Sequence, residues 1–374
     1  MNVSRWRCDL IVVRRDGVTT SPLPRLTLRE ATLWADRYLT VLQIAEAADL
    51  QVARADRGSG ESARDVARRR LYAARALEKA HQRADSMLAD LQQWMWDTFA
   101  GQIVDELGFT ATPTGAVDTW PRMWWCPTGP LTVLPLHTAG SRGEHGSSVL
   151  DRVISSYTPT LRALLQARQR DETPAAPAQD RLLFVDVPDL PGEVPIDNTA
   201  EREALFAAFP PQRRTVLCRG EATPVAVQAA LAQHRWAHFS CHGSQNLQDP
   251  TRGGLQLSGG TLSIEAIAAG RFRGDFAGLS ACKTAVGGLA LLDEAITLAS
   301  ALHYTGYRHV IAALWSVDNQ ASAEVFGSLY GSIATSGSLE PNRAAAALHE
   351  VVRRMRDREP DWPHRWTPFT HIGP

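Results

Sequence analysis

Two residues in this chain have both the type and the setting for covalent chemistry. His242 follows the apolar run Trp236-Ala237-His238-Phe239-Ser240-Cys241, and Cys282 follows the apolar run Phe276 to Ala281. Each run reads as a short buried strand, so each residue stands where a strand gives way to a loop. If the two strands are neighbours, both side chains project over one sheet edge. There an imidazole can accept the thiol proton or stabilise the thiolate. The backbone N–H groups of Gly243 and Cys282 could then form an oxyanion hole, since glycine lets the backbone approach a substrate carbonyl closely. Spacing alone leaves a structural role open for both His242 and Cys282.

Nearby residues compete for the same reading. Strand alternation points Cys241 to the face opposite His242, as a core thiol. His238 shares the face of His242 but lies four residues deeper, which suits a hydrogen-bonded buried histidine. His137, in a separate apolar segment, also reads as structural. Zinc held by Cys241, His242 and Cys282 is disfavoured, because no CxxC-type spacing or fourth ligand accompanies them. No metal and no cofactor are expected. The glycines around Gly253 and Gly259 lack the strand-to-helix context of a phosphate loop and read as hairpin turns.

The elements that must position this pair read as follows. Trp6 to Val13 forms a strand ended by the Arg15-Asp16-Gly17 turn. Thr27 with Glu30 makes a capping box for a first helix, Gly58-Ser59-Gly60 breaks it, and Ser62 with Asp65 starts a second, running to about Gly101. The two helices read as a partner-facing or supporting layer. Arg122 to Cys126 and Leu131 to Leu136, joined by Pro127-Thr128-Gly129-Pro130, read as a hairpin. A linker rich in Ala, Pro and charge spans Arg168 to Arg181. Short buried strands then alternate with helices: Leu182 to Val187, Thr215 to Cys218, a Thr223-capped helix to about Gln233, Trp236 to Cys241 and Phe276 to Ala281. A helix from about Leu292 to Tyr304, a strand from His309 to Trp315 and a helix from about Gln320 to Ile333 complete the pattern. Such alternation predicts an α/β fold, a parallel-rich sheet with helices on both faces, whose function gathers at the carboxyl ends of the strands.

Composition bounds the function classes. The 374 residues are 44% hydrophobic and 21% charged with a formal net charge of −1, an ordinary globular balance that argues against a strongly basic nucleic-acid binder. The run Arg68-Arg69-Arg70 reads as a solvated helix face. Five cysteines without paired spacing read as a reduced, cytoplasmic protein, and no apolar run approaches the ~18 residues of a membrane span.

The runs Trp236 to Gly243 and Leu279-Ser280-Ala281-Cys282-Lys283-Thr284-Ala285 resemble the two signature motifs of CHAT domains, caspase-like peptidases that often accompany tetratricopeptide repeats. The likeness extends to Trp124-Trp125-Cys126-Pro127-Thr128-Gly129-Pro130-Leu131, Leu134-Pro135-Leu136-His137, the Asp293-Glu294 pair, Gly306 to Ile311, Leu314-Trp315-Ser316-Val317-Asp318 and the closing Trp366 to Gly373. Separase, of the same clan, carries a segment similar to Leu314–Asp318 downstream of its nucleophile. The resemblance implies a caspase-like peptidase domain over residues 107–374; the strand and two helices read above make residues 1–106 a small, mainly helical segment before it, where relatives usually carry a longer repeat array. The resemblance makes His242 the general base and Cys282 the nucleophile, and names no third acid.

By the same resemblance Asp318 lines the pocket for a basic side chain before the scissile bond; otherwise it caps the following helix. Asp293 and Glu294 either reach that pocket or favour a helix amino terminus through the macrodipole. Family members cleave protein partners in bacterial defence, a gasdermin or a CRISPR-associated substrate among them, so a protein substrate is implied, with regulation by a separate partner or by a repeat domain preceding this segment. Two expectations follow: a regulated cysteine endopeptidase, or a non-catalytic module of the same fold working inside an assembly, with neither nucleic acid nor membrane as a direct partner.

Overall fold

A computed structural model describes residues 1–55, 62–141, 143, 146–169, 180–190, 195–244, 250–280, 297–317 and 319–374. Strands β1 (Asn2–Val3), β2 (Cys8–Arg14) and β3 (Gly17–Pro22) form a small antiparallel sheet in that order. Helix α1 (Leu28–Ala55) starts where predicted: the Thr27 hydroxyl accepts the Glu30 N–H at 3.2 Å and donates to the Glu30 carboxylate at 3.1 Å. Helix α2 (Ala63–Met95) is capped by Ser62, whose Oγ accepts the Asp65 N–H at 3.2 Å. Both caps satisfy N–H groups that a helix start leaves without a partner. The Gly58-Ser59-Gly60 break lies outside the described residues. Past Met95 the helical path runs through one π turn, Trp96–Ala100, into α3 (Gly101–Glu106). The two long helices meet through small side chains, Ala45 and Ala48 of α1 and Ala80 of α2, which let their backbones approach closely.

The expected hairpin at Arg122–Leu136 is not formed. Only its first half is a strand, β4 (Arg122–Trp125), while Gly129–Val133 and Leu136–Thr138 are 3-10 turns. Pro130 and Pro135 cannot donate to a ladder, and Gly129 takes φ 56°, so the backbone turns instead of extending. Leu131, Val133, Leu134 and Leu136 are apolar because all four are buried in one core shared with α1 and α2. Apolarity here reports burial, not strand. Helix α4 (Val149–Arg152), strand β5 (Ile154–Tyr157) and helix α5 (Leu161–Gln169) follow.

The rest of the chain alternates as the sequence indicates: β6 (Leu182–Val187), α6 (Thr199–Ala208), β7 (Arg214–Cys218), α7 (Pro224–Leu231) and β8 (Trp236–Cys241). Strands β9 (Gly243–Ser244), β10 (Gly254–Leu257) and β11 (Gly260–Ser263) form a three-stranded antiparallel flap with a turn at Gly259, φ 83°. Then come α8 (Ile264–Ala268), β12 (Phe276–Leu279), α9 (Leu298–Thr305), β13 (His309–Ala313) and α10 (Asn319–Ile333). A short hairpin of β14 (Ala334–Thr335) and β15 (Ser338–Leu339), helices α11 (Ala344–Arg358) and α12 (Pro363–Trp366) and strand β16 (Phe369–Ile372) close the chain.

Eight strands form the central sheet in the order β4-β5-β16-β13-β12-β8-β6-β7. Its ladders are parallel except β13–β16, so β4, β5 and β16 run against the other five strands. One face packs under α7, α8 and α9 through Val185, Phe239, Leu279 and Val310; the other packs under α6, α10 and α11 through Phe184, Trp236, Phe276 and Ile311. Side chains alternate between the two cores with the pleat, and burial on both faces explains the unbroken apolar strands. The result is the expected α/β architecture, a mostly parallel sheet covered on both faces and preceded by a helical segment.

Candidate active site

β8 and β12 are adjacent and parallel, with Trp236 opposite Phe276 and Phe239 opposite Leu279, and the Ser280 N–H carries the ladder on to the Phe239 carbonyl at 2.9 Å. The neighbour relation that the chemistry requires is therefore met. Counting from the register pair Phe239–Leu279, His242 and Cys282 each follow by three residues. His242 is half-buried at the exit of β8, and its carbonyl accepts the Gln256 N–H of β10 at 2.8 Å. Gly243 pairs with Leu255 in the same flap, so β10 pins the turn that carries the histidine. Cys282, Asp293, Glu294 and Asp318 lie outside the described residues, as do the amino-terminal turns of the helix expected from Leu292. The exit of β13, Leu314 to Val317, is described and lies on the other side of β12 from His242, because the strand order runs β13-β12-β8.

The competing residues fall as the alternation predicts. Cys241 is fully buried in the core beneath α7 and α8. His238 is fully buried on the opposite face, its Nδ1 2.9 Å from the Tyr330 hydroxyl and its Nε2 2.9 Å from Glu201 Oε1. Burial holds the Tyr330 phenol protonated, well above the usual range, so it can donate to Nδ1. The Glu201 contact has the distance but not the alignment of a hydrogen bond. Gly278 of β12 explains itself here: a Cβ would lie 2.8 Å from His238 Nδ1 and 3.1 Å from the Tyr330 oxygen, so any side chain would part the two. His137 is buried against Tyr157, Nδ1 to hydroxyl 2.9 Å, and burial lowers its pKa to about 3. Burial therefore keeps His137 uncharged near neutral pH, which fits a hydrogen-bonded interior side chain.

Sequence reasoning passed over the residues that brace the rim. Asn198, just before α6, is buried and donates through Nδ2 to Asp186 Oδ1 at 2.7 Å and to Ser240 Oγ at 2.9 Å. Asp186 lies near the carboxyl end of β6, and Ser240 is two residues before His242 on the same face of β8. Asn198 and Glu201 have the spacing of a helix-capping pair, which is the ordinary interpretation of such residues. Neither caps α6; the Asp197 carboxylate takes the Thr199 N–H at 3.1 Å instead, leaving both side chains for the sheet. On the other side of β8, Ser280 of the β12 exit meets Ser322 of α10, Oγ to Oγ 2.7 Å. The signal was weak, a buried-looking Asp and Ser each closing an apolar strand. Among the described residues no three His, Cys, Asp or Glu side chains converge to hold a metal ion, and no helix is long and apolar enough to cross a membrane.

No protein with a curated description matches the chain. Among solved structures, separase in the Saccharomyces cerevisiae separase–securin complex at 2.6 Å shares the fold, with a TM-score of 0.53 at 10% identity over 95% of this chain. A second separase–securin structure from the same organism, at 3.0 Å, matches 64% of the chain at 11% identity and a TM-score of 0.44. The chain spans 28% and 14% of those two separase chains. The residues from Ser86 in α2 to the last, 86–374, match the CHAT domain, and with this caspase-like fold the chain belongs to the CHAT domain family.

Proposed function

We propose that the protein is a cysteine endopeptidase that cleaves a protein partner with Cys282 as nucleophile and His242 as general base. The observation that carries this reading is the pairing of β8 with β12, two parallel neighbours whose equal three-residue extensions end in a histidine and a cysteine. In the proposed cycle the imidazole takes the thiol proton and the thiolate sulfur bonds to the peptide carbonyl carbon. The imidazolium then gives its proton to the departing amine as the C–N bond breaks, leaving a thioester. Water, deprotonated by the same imidazole, attacks the thioester and releases the thiol. The N–H groups of Gly243 and Cys282 would face the oxyanion, which forms only in the transition state and so is the charge worth stabilising. Asp318, with Asp293 and Glu294, would supply negative charge to a basic side chain before the scissile bond. Residues 107–374 would form the peptidase unit and 1–106 its support, with regulation by a partner in bacterial defence as the setting.

A mixed peptide library incubated with the wild type, Cys282→Ala and His242→Ala tests the assignment. Cleavage should fall on the order of 10⁴-fold in either variant, because the two groups act as one unit. Thiol alkylation should label Cys282 in the wild type and slow in His242→Ala. Equal cleavage by the wild type and Cys282→Ala would reject the proposal, and a protein that is never alkylated at Cys282 would favour a non-catalytic module.

A further inference from the structure

We infer that the amino-terminal helix pair α1–α2 is a positioning element for the substrate rim at the exit of β13, acting through Trp315 and His364. The inference rests on the peptidase reading above, because it takes that rim as the side of the cleft across β12 from His242.

Four contacts converge on the three residues Leu314, Trp315 and Ser316. The Leu314 N–H is donated to the Pro368 carbonyl at 2.9 Å, and the Trp315 indole N–H to the His364 carbonyl at 3.2 Å. The Trp315 ring stands edge-on to Tyr38 of α1, centroids 5.8 Å apart, and Ser316 Oγ donates to Glu46 of α1 at 3.5 Å. His364, at the start of α12, is in turn fixed to α2. Its backbone N–H and its Nδ1 both reach Asp85 Oδ1, at 3.0 and 2.7 Å, and its ring stacks on His81 with centroids 4.6 Å apart. His81 and Asp85 are four residues apart and so share one face of α2. Leu314 and Trp315 belong to the core built by Ala31, Ala35 and Tyr38 of α1 and Leu88, Leu91 and Met95 of α2.

A strand end normally takes its conformation from the sheet it leaves. Here the last bond in line with the β13–β16 register is the Leu314 N–H to the Pro368 carbonyl, and Trp315 and Ser316 take their partners from α12 and from the helix pair. Trp315 and Ser316 stand three and two residues before Asp318, so the helices fix the chain shortly before it enters the segment proposed to read the substrate, while Val317 packs against the core under α6, α10 and α11. Among the described residues, Phe276, Ala277 and Leu279 of β12 lie in the two cores beside the sheet and none belongs to the core shared with α1 and α2.

Asp85→Ala tests this in the full chain. Losing a carboxylate that accepts two hydrogen bonds should speed amide hydrogen exchange in the peptide covering Leu314–Val317 about tenfold, with no change in the peptide covering Phe239–Cys241. The KM for a cleaved peptide should rise about tenfold while the rate of Cys282 alkylation holds. Asp85→Asn, which keeps an acceptor oxygen, should recover most of both. Should Asp85→Ala fail to fold, Glu46→Ala removes the Ser316 contact alone and should raise exchange about threefold at the same peptide. Unchanged exchange at Leu314–Val317 in a folded variant overturns the inference whatever the peptidase result. Absence of cleavage by the wild type overturns the peptidase reading and leaves the exchange result to decide the role of the helix pair.

Discussion

Two of the places where the sheet holds histidines differ in access: the seam where β13, β16 and β5 meet isolates its pair, and the rim where β8 ends leaves His242 half-buried. At the seam, His309 Nε2 meets the Asn342 amide oxygen at 3.2 Å, and His309 Nδ1 meets His371 Nε2 at 3.0 Å. His371 Nδ1 then takes the Ser156 hydroxyl at 2.8 Å, and that oxygen accepts Arg122 Nη2 at 2.6 Å. Since the Asn342 oxygen can only accept, the protons have one consistent arrangement: each imidazole donates from Nε2 and accepts at Nδ1. All four ring nitrogens have partners, both residues are 1% exposed, and burial lowers the pKa of His309 to about 3 and holds that of His371 well below its ordinary value. At the rim His242 is half-buried and follows a strand braced by Asn198. One residue type can be a sealed strut or, as proposed for His242, a reachable base, and its place in the sheet separates the two.

The widest way to break this comparison is acid. His137, His309 and His349 each have a pKa lowered to about 3 by burial, and His371 lies well below its ordinary value. The unfolded chain binds these protons near pH 6.5 and the folded chain does not, so stability is unaffected above about 6.5 and declines as the pH falls from there toward 3. Each histidine contributes up to ~1.4 kcal/mol per pH unit, about 5 kcal/mol per unit for the four together. Urea unfolding at pH 7.5, 6.0 and 5.0 should show the loss beginning between the first two; flat stability down to pH 5 would mean that the seam takes up protons while folded.

His371→Leu opens the seam without touching the rim. It leaves His309 and Ser156 each short of a partner and should cost about 2–4 kcal/mol in denaturant unfolding. Cleavage per folded molecule should stay near the wild-type rate, and a large drop would show that seam and rim are coupled.

Asn198→Ala makes the opposite division. Two polar groups at the rim lose one amide, so the stability cost should be smaller, about 1–3 kcal/mol. Turnover should fall about tenfold as the exit of β8 loosens. Asn198→Asp would place a second carboxylate against Asp186 and remove the amide donor, so its turnover should fall at least as far. A variant that loses stability but keeps full turnover would make Asn198 a strut like those of the seam.

Much of this was legible in the residues. Thr27 and Ser62 mark their helix starts, the apolar runs mark β6, β7, β8, β12 and β13, and the offset of Cys241 from His242 assigns their faces. Each of these is decided within about four residues of chain, by the geometry of a cap or the pleat of a strand. Elsewhere the same cues misled. Leu131 to Leu136 are apolar because they fill the core against α1 and α2, not because they form a strand.

The chain's own residues thus determined where strands stop, which residues stand at their ends and which face each one takes. Only the tertiary structure decided that β12 lies between β8 and β13, that β16 enters antiparallel at the seam, and that α1 and α2 reach the far side of the cleft. Those outcomes depend on apolar surfaces far apart in sequence finding one another, and the free energy of burying them depends on area and fit, which no local spacing encodes.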